Sequence, residues 1–426
     1  MKRIALFCFL FGLATLSSCE KDAIAPSGAD EQLSPGSGSR NELILDSIFL
    51  YARQVYLWHN TLPSYAQFAP RTRYTTTSLL PGIELYRQEL FDITQYAINP
   101  NTKTPFELPD NAWAPRYSFI QTRSAANGLL AATGAVETAS MGASGSFEIG
   151  STKIAYLALN GFPLLASLKS TLDDKFESIA QEEPHILVID LRNNLGGYVE
   201  TAAHVANLIV PSHADGKLMY SERFNSNLQN ATARILQFQP YLDNAGKPVY
   251  YQGRTATMAD VDYSEKANST YFKKIGKLNA IQKIYFIVSG NTASAAELLI
   301  SALKPYVPCV LVGARTYGKP VGFFPINIDR YTLYLASFSL HNAEGWGDYY
   351  TGIPPDIAVS DVGDGEQGHP TDPGIKAVLA DIQDNSSAAV VRGRIKKVYN
   401  MRSTQKMATR DTAFIPIIVH PQKFKN

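Results

Sequence analysis

The stretch Lys283–Lys319, KIYFIVSGNTASAAELLISALKPYVPCVLVGARTYGK, constrains this chain more than any other. Ile284 to Val288 is a short apolar run of β-branched and aromatic residues, and Ser289-Gly290-Asn291 is the punctuation that closes a strand. A helix starting near Thr292 to Ser294 would bury Ala295, Leu298, Leu299 and Ala302, and Pro305 stops it. Cys309 to Val312 then reads as a second strand, short enough to be buried and parallel. This layout sets the Ser294 hydroxyl beside unpaired N–H groups at a helix N-terminus, where developing negative charge is stabilised. Taken locally, Ser294 is either a nucleophile or an ordinary helix-capping serine.

The same texture begins at Lys153. Ile154 to Leu159 reads as a strand, Leu164, Leu168, Leu172, Phe176 and Ile179 mark a helix, and Ile186 to Ile189 is a second buried strand. Asp190-Leu-Arg-Asn-Asn-Leu-Gly-Gly197 follows, and then a helix faced by Val199, Ala203, Ala206 and Val210. A glycine pair between strand and helix lets the backbone approach a ligand and aim N–H groups at a phosphate or an oxyanion. A purely structural turn accounts for it equally, since no GxGxxG pattern is present. Residues 212–280 interrupt the alternation with polar, tyrosine-rich sequence that reads as an insertion, of the kind that forms a lid, a substrate wall or decoration. Tyr331 to Leu340 alternates as a strand, and a last helix is expected around Ile375 to Ile382.

The chain opens on Lys2-Arg3, an apolar run from Ile4 to Leu16, and Leu16-Ser17-Ser18-Cys19. The run is short for a membrane span and reads as an export signal. The tetrad resembles the lipobox of bacterial lipoproteins. That resemblance implies a signal peptide over residues 1–18, lipid on Cys19, and a cell-envelope location on a membrane, with the outer membrane expected. Residues 19–41, rich in Gly, Ser and Pro, read as a flexible tether. Residues 42–125 read as a small helical N-terminal domain, with Ile44, Ile48, Tyr51, Val55 and Trp58 on one helical face. Residues 126–152 form a connection, 153–385 the core, and 386–426 a tail. Once Cys8 leaves with the signal and Cys19 carries lipid, Cys309 stands alone, so neither a disulfide nor a cysteine metal cluster is expected. Net charge is +1 on 426 residues, which gives no electrostatic reason to expect nucleic acid as a partner.

Gly313-Ala-Arg-Thr-Tyr-Gly318-Lys319 matches most of a phosphate-binding P-loop, but Pro320 stands where Ser or Thr must hold magnesium, and no helix follows. Lys319 is then either a surface lysine or a desolvated base. Lowering its pKa from about 10.4 to near 7.5 takes roughly 4 kcal/mol of differential solvation, which requires a closed apolar site. Leu298, Val321, Phe323 and Phe324 are candidate walls. His204 and His341 are the histidines that would be weighed for a Ser–His pair. The absence of HExxH argues against a zinc peptidase, and no cofactor is expected.

Taken in order, Asp190–Gly197, Asn291-Thr-Ala-Ser294-Ala-Ala-Glu297, Thr316-Tyr-Gly-Lys319 and Gly352-Ile-Pro-Pro-Asp356 resemble the C-terminal processing (tail-specific) serine peptidases. The resemblance spans roughly 153–382, with a looser likeness at Tyr56-Leu57-Trp58 and Tyr117-Ser118. It implies an α/β core of the crotonase or Clp-protease type and a serine–lysine dyad that cleaves protein or peptide substrates. Ser294 would be the nucleophile and Lys319 the general base. N–H groups of Gly197 or Gly196 and of Ala295 would form the oxyanion hole. The chain departs from the pattern twice. There is no room for a PDZ domain between Tyr117 and Lys153, and Phe323 stands where many members carry a lysine-orienting glutamine. These departures motivate an alternative, a weakly active relative that binds peptides or apolar ligands.

Overall fold

The structure is a computed structural model that describes residues 37–75, 82–108, 114–123, 140–243, 246–362, 366–386, 396–398 and 423–425. The export signal, Cys19, most of the tether and the β-like stretch Phe414–Val419 lie outside the described residues.

A seven-stranded sheet organises the core. Its spatial order is Ile357–Ala358, Cys309–Gly313, Lys283–Val288, Ile186–Asp190, Thr152–Leu159, Met141–Ile149 and Lys396–Val398. The first five run parallel, and the last two add antiparallel at the edge. Parallel strands are covered on both faces, which is why their sequences are continuously apolar. Alternation divides them between two packed layers. Leu187, Ile189, Ile284, Phe286 and Val288 face one core with the helices Leu165–Gln181, Val199–Ile209 and Ala295–Leu303. Ile186, Val188, Tyr285 and Ile287 face the other with Ile375, Val378, Leu379 and Ile382 of the helix Pro373–Ser386.

The N-terminal helices belong to the first of these cores. Ser39 caps the helix Arg40–Val55, whose Ile48, Phe49 and Val55 join the same buried cluster as Leu187. Phe119–Thr122 pairs antiparallel with Tyr331–Tyr334, and Leu57 N–H donates to Ala336 O at 2.8 Å.

Three stretches differ from the sequence reading. Met141–Ile149, inside the expected connection, is a strand paired with Thr152–Leu159. Its Gly and Ser residues conceal the two-residue period that marks strands. The single strand expected over Tyr331–Leu340 is two, Tyr331–Tyr334 and Phe338–Asn342, which sit in different sheets. The 212–280 insertion contributes to the core: Leu218–Phe224 is an inner strand of a four-stranded sheet, between Phe338–Asn342 and Ser269–Tyr271, and buries Met219, Tyr220 and Phe224.

Candidate active site

Three loops leave the carboxyl ends of three adjacent parallel strands, Ile186–Asp190, Lys283–Val288 and Cys309–Gly313. Ligand sites of open α/β sheets form at such ends. The first loop carries Gly196 and Gly197, the second Ser294, and the third Lys319. Ala293 N–H donates to Asn194 O at 3.0 Å, which joins the first two loops, and Tyr317 N–H donates to Thr292 O at 2.9 Å, which joins the last two.

Ser294 stands just before the helix Ala295–Leu303 with φ 63° and ψ −119°, a conformation L residues rarely adopt. Holding such a backbone costs on the order of 1–3 kcal/mol, and residues held this way cluster at reactive sites. Its N–H donates to Glu297 Oε2 at 2.9 Å, which fixes the turn. Its Oγ is buried and has no hydrogen-bond partner among the described residues. Ser294 and Glu297 stand at the two positions of a capping box, yet the serine hydroxyl makes no cap hydrogen bond of its own.

The glycine pair is packed against this serine. A β-carbon on Gly196, at φ +97°, would fall 2.7 Å from Ser294 Cβ and 2.8 Å from Ala293 O. One on Gly197, at φ +134°, would fall 2.0 Å from Phe162 O. Only glycine allows either approach. The two N–H groups have different fates. Gly196 N–H donates to Asn194 Oδ1 at 2.9 Å, so its expected place as an oxyanion donor is corrected: that proton is already committed. Gly197 bridges Phe162 in parallel register, with Phe162 N–H on Gly196 O and Tyr198 N–H on Phe162 O. That pairing turns the N–H of Gly197 itself away from Phe162. Among the described residues neither the Gly197 nor the Ala295 N–H donates to a protein acceptor.

Lys319 is fully buried, with Nζ 4.6 Å from the centre of the Phe323 ring. The residue that replaces the expected glutamine thus lies against the amine. Burial lowers the Lys319 pKa to about 7, opposed by the buried carboxylates of Glu107 and Glu297. His204, in the helix Val199–Ile209, pairs with Asp173 of the helix Leu165–Gln181 at 2.6 Å, and His341 bonds Ser339 and Gly345. Burial pushes the Cys309 thiol up to about 12, which suits packing rather than nucleophilic chemistry.

Two buried carboxylates that the sequence reading did not single out hold the site together. Glu297 Oε2 accepts the N–H groups of both Ser294 and Lys319, the latter at 2.8 Å. Its Oε1 accepts Gly318 N–H at 2.7 Å and the Thr316 hydroxyl at 2.5 Å. Burial raises the Glu297 pKa and these four donors lower it. The spacing Ser-x-x-Glu, a helix-start signature, was the available clue. Glu107 comes from the N-terminal region and accepts from Tyr56 Oη, Tyr117 N, Ser118 N and Ser118 Oγ. Tyr117 Oη in turn donates to Gly318 O at 2.7 Å, and Arg116 donates to Tyr317 O. The N-terminal region therefore grips the lysine loop from one side while Glu297 grips it from the other. Nothing in the local sequence around Glu107 signals this.

Fold and site together define an α/β core with a strained serine at a strand-to-helix turn, a glycine loop packed on it, and a desolvated lysine on the next loop. The sequence model of peptidase family S41 matches residues 153–359. A carboxyl-terminal-processing peptidase 1, chloroplastic, of Arabidopsis thaliana is 26% identical over 170 residues, which are 40% of this chain and 26% of that protein. The alignment therefore spans about a quarter of the curated relative's length. A candidate S41 protease of Bacteroides fragilis is similar in structure, with TM-score 0.48, 17% identity, 79% of this chain and 97% of that chain. So is a lipoprotein of Streptococcus agalactiae, with TM-score 0.46, 16% identity, 83% of this chain and 98% of that one.

Proposed function

We propose that this chain is a serine endopeptidase that cleaves peptide bonds through an acyl-enzyme. The observation that carries the reading is one carboxylate oxygen of Glu297, which ties the backbone of a strained, buried serine to that of a buried, desolvated lysine. Ser294 Oγ attacks the scissile carbonyl while neutral Lys319 Nζ takes its proton. The oxyanion falls to the N–H groups of Gly197 and Ala295. The Lys319 ammonium then protonates the leaving amine, and a water activated by Lys319 cleaves the ester to release the acid and restore the serine.

A fluorophosphonate probe tests this on the protein lacking residues 1–19. Labelling should vanish in Ser294→Ala and fall sharply in Lys319→Ala. Its rate should rise with pH through about 7 as Lys319 loses its proton. Absence of labelling up to about pH 9 in folded protein would favour a peptide-binding relative without chemistry.

The substrates we propose are exported or envelope proteins, because Lys2-Arg3, the apolar run and Leu16–Cys19 read as a lipoprotein export signal. Expressed with its leader in a bacterial host, the chain should fractionate with membranes, and Cys19→Ser should move it to the soluble fraction. Unchanged membrane retention of that variant would remove the anchor from the proposal.

A further inference from the structure

Far from Ser294 in sequence, the segment Lys423–Lys425 is seated on the 212–280 insertion. Phe424 forms an antiparallel bridge with Val261, closed by Asp262 N–H on Lys423 O at 2.7 Å and Lys425 N–H on Asp260 O at 2.9 Å. The Phe424 ring stacks on Tyr251, with centroids 4.6 Å apart, and meets Tyr241 edge-on at 5.0 Å. The Lys425 ammonium donates to Ala259 O at 2.6 Å, and the Tyr251 hydroxyl donates to Lys425 O.

The receiving side is held by bonds of its own. Tyr250–Tyr251 pairs with Arg254–Thr255, Tyr241 N–H donates to Ala256 O, and Val249 N–H donates to Tyr241 O. Arg254 pairs with Asp260, whose carbonyl receives Lys425 N–H. The groove is therefore built without help from its occupant. A cavity of about 160 Å³, bounded by Lys425, Leu228, Leu236, Ala259 and Tyr263, adjoins it and leaves room for a bulkier guest. Tyr263 also lies 5.9 Å from the ring of Phe324, the neighbour of Phe323 that faces Lys319. Main-chain pairing on both sides of Val261, combined with a slot for one side chain, uses on a single bridge the physics of peptide recognition by strand addition.

The resident segment is only partly covered: Lys423 is exposed, and Phe424 and Lys425 are half-buried. We infer that the insertion is a peptide-docking site whose groove takes an extended segment of a protein substrate in which lysine follows an aromatic residue, with Phe424-Lys425 as its resident occupant. The aromatic residue fills the Tyr241–Tyr251 slot, and the lysine reaches the Ala259 carbonyl. Naming the guest a substrate rests on the peptidase reading, whereas docking itself does not use Ser294, so loss of labelling and loss of peptide binding are distinguishable outcomes. Because the resident segment is tethered, it competes at high effective concentration and weakens binding of a free peptide by roughly tenfold or more.

The test is fluorescence anisotropy with a labelled peptide of residues 420–426, HPQKFKN, on the full chain. The peptide should bind a Phe424→Ala chain about tenfold or more tightly than the unmodified chain. Binding should be lost in a Phe424→Ala, Tyr251→Ala chain, and lost equally when the phenylalanine of the peptide itself is replaced by alanine. That last arm probes the same contact without altering the fold. A Phe424→Ala chain with unchanged circular dichroism that binds no more tightly than the original would overturn the inference. So would binding indifferent to the peptide phenylalanine.

Discussion

Lys319 is an expensive residue for the fold. It is fully buried, and its pKa falls from 10.5 to about 7 because the charged form is desolvated. Between those two values the unfolded chain holds a proton that the folded chain does not. Stability therefore rises with pH across that window, and below about 7 the destabilising effect is fully present. Each unit of such a shift is about 1.4 kcal/mol. Lys319→Met, similar in length and uncharged, should raise the urea midpoint at pH 7 and sharply reduce fluorophosphonate labelling. A lysine kept for stability would give a lower midpoint instead.

At the scale of elements, the helix Ala295–Leu303 does more than present Ser294. Through Glu297, on its first turn, it fastens the loop that follows the neighbouring strand Cys309–Gly313, taking Gly318 and Lys319 N–H and the Thr316 hydroxyl. Glu297→Gln would place an amide NH₂ against one pair of donors and leave buried N–H groups unpaired, at about 1–3 kcal/mol. Because loop and serine lose their shared anchor, labelling should fall by roughly a hundredfold while the Ser294 hydroxyl itself remains. Stopped-flow labelling set beside a denaturant titration separates the two effects. An unaltered labelling rate in a destabilised protein would reduce Glu297 to a structural support.

For the whole molecule, one buried cation joins the sheet to its covering helix. Arg192, in the glycine loop, contacts Asp190 at 2.7 Å and makes two hydrogen bonds to Asp372, at 2.7 and 2.9 Å. Asp372 in turn accepts Ile375 N–H at the start of the helix Pro373–Ser386, and Tyr156 Oη donates to Asp190 at 2.6 Å. Arg192→Ala would strand two buried carboxylates, and unfolding should become easier by about 3–5 kcal/mol. A midpoint within experimental error of the parent would refute that role.

The sequence by itself determined the strand–helix alternation of 153–210 and 283–313, the serine at a helix start and the glycine pair, and its ordered motifs carried the resemblance to a peptidase family. Each of these is written in short-range pattern: apolar periodicity, turn residues and ordered motifs. The tertiary structure decided what depends on distant residues. It separated the two glycines, because Asn194 takes the N–H of one of them. It set Phe323 against the Lys319 amine, and it brought Glu107 from the N-terminal region to clamp Tyr117 and Ser118 beside the lysine loop. It also split Tyr331–Leu340 between two sheets, although its alternation reads as one strand. Burial and hydrogen-bond partnership belong to pairs of residues, and no periodicity along one segment encodes which distant segment will supply the partner.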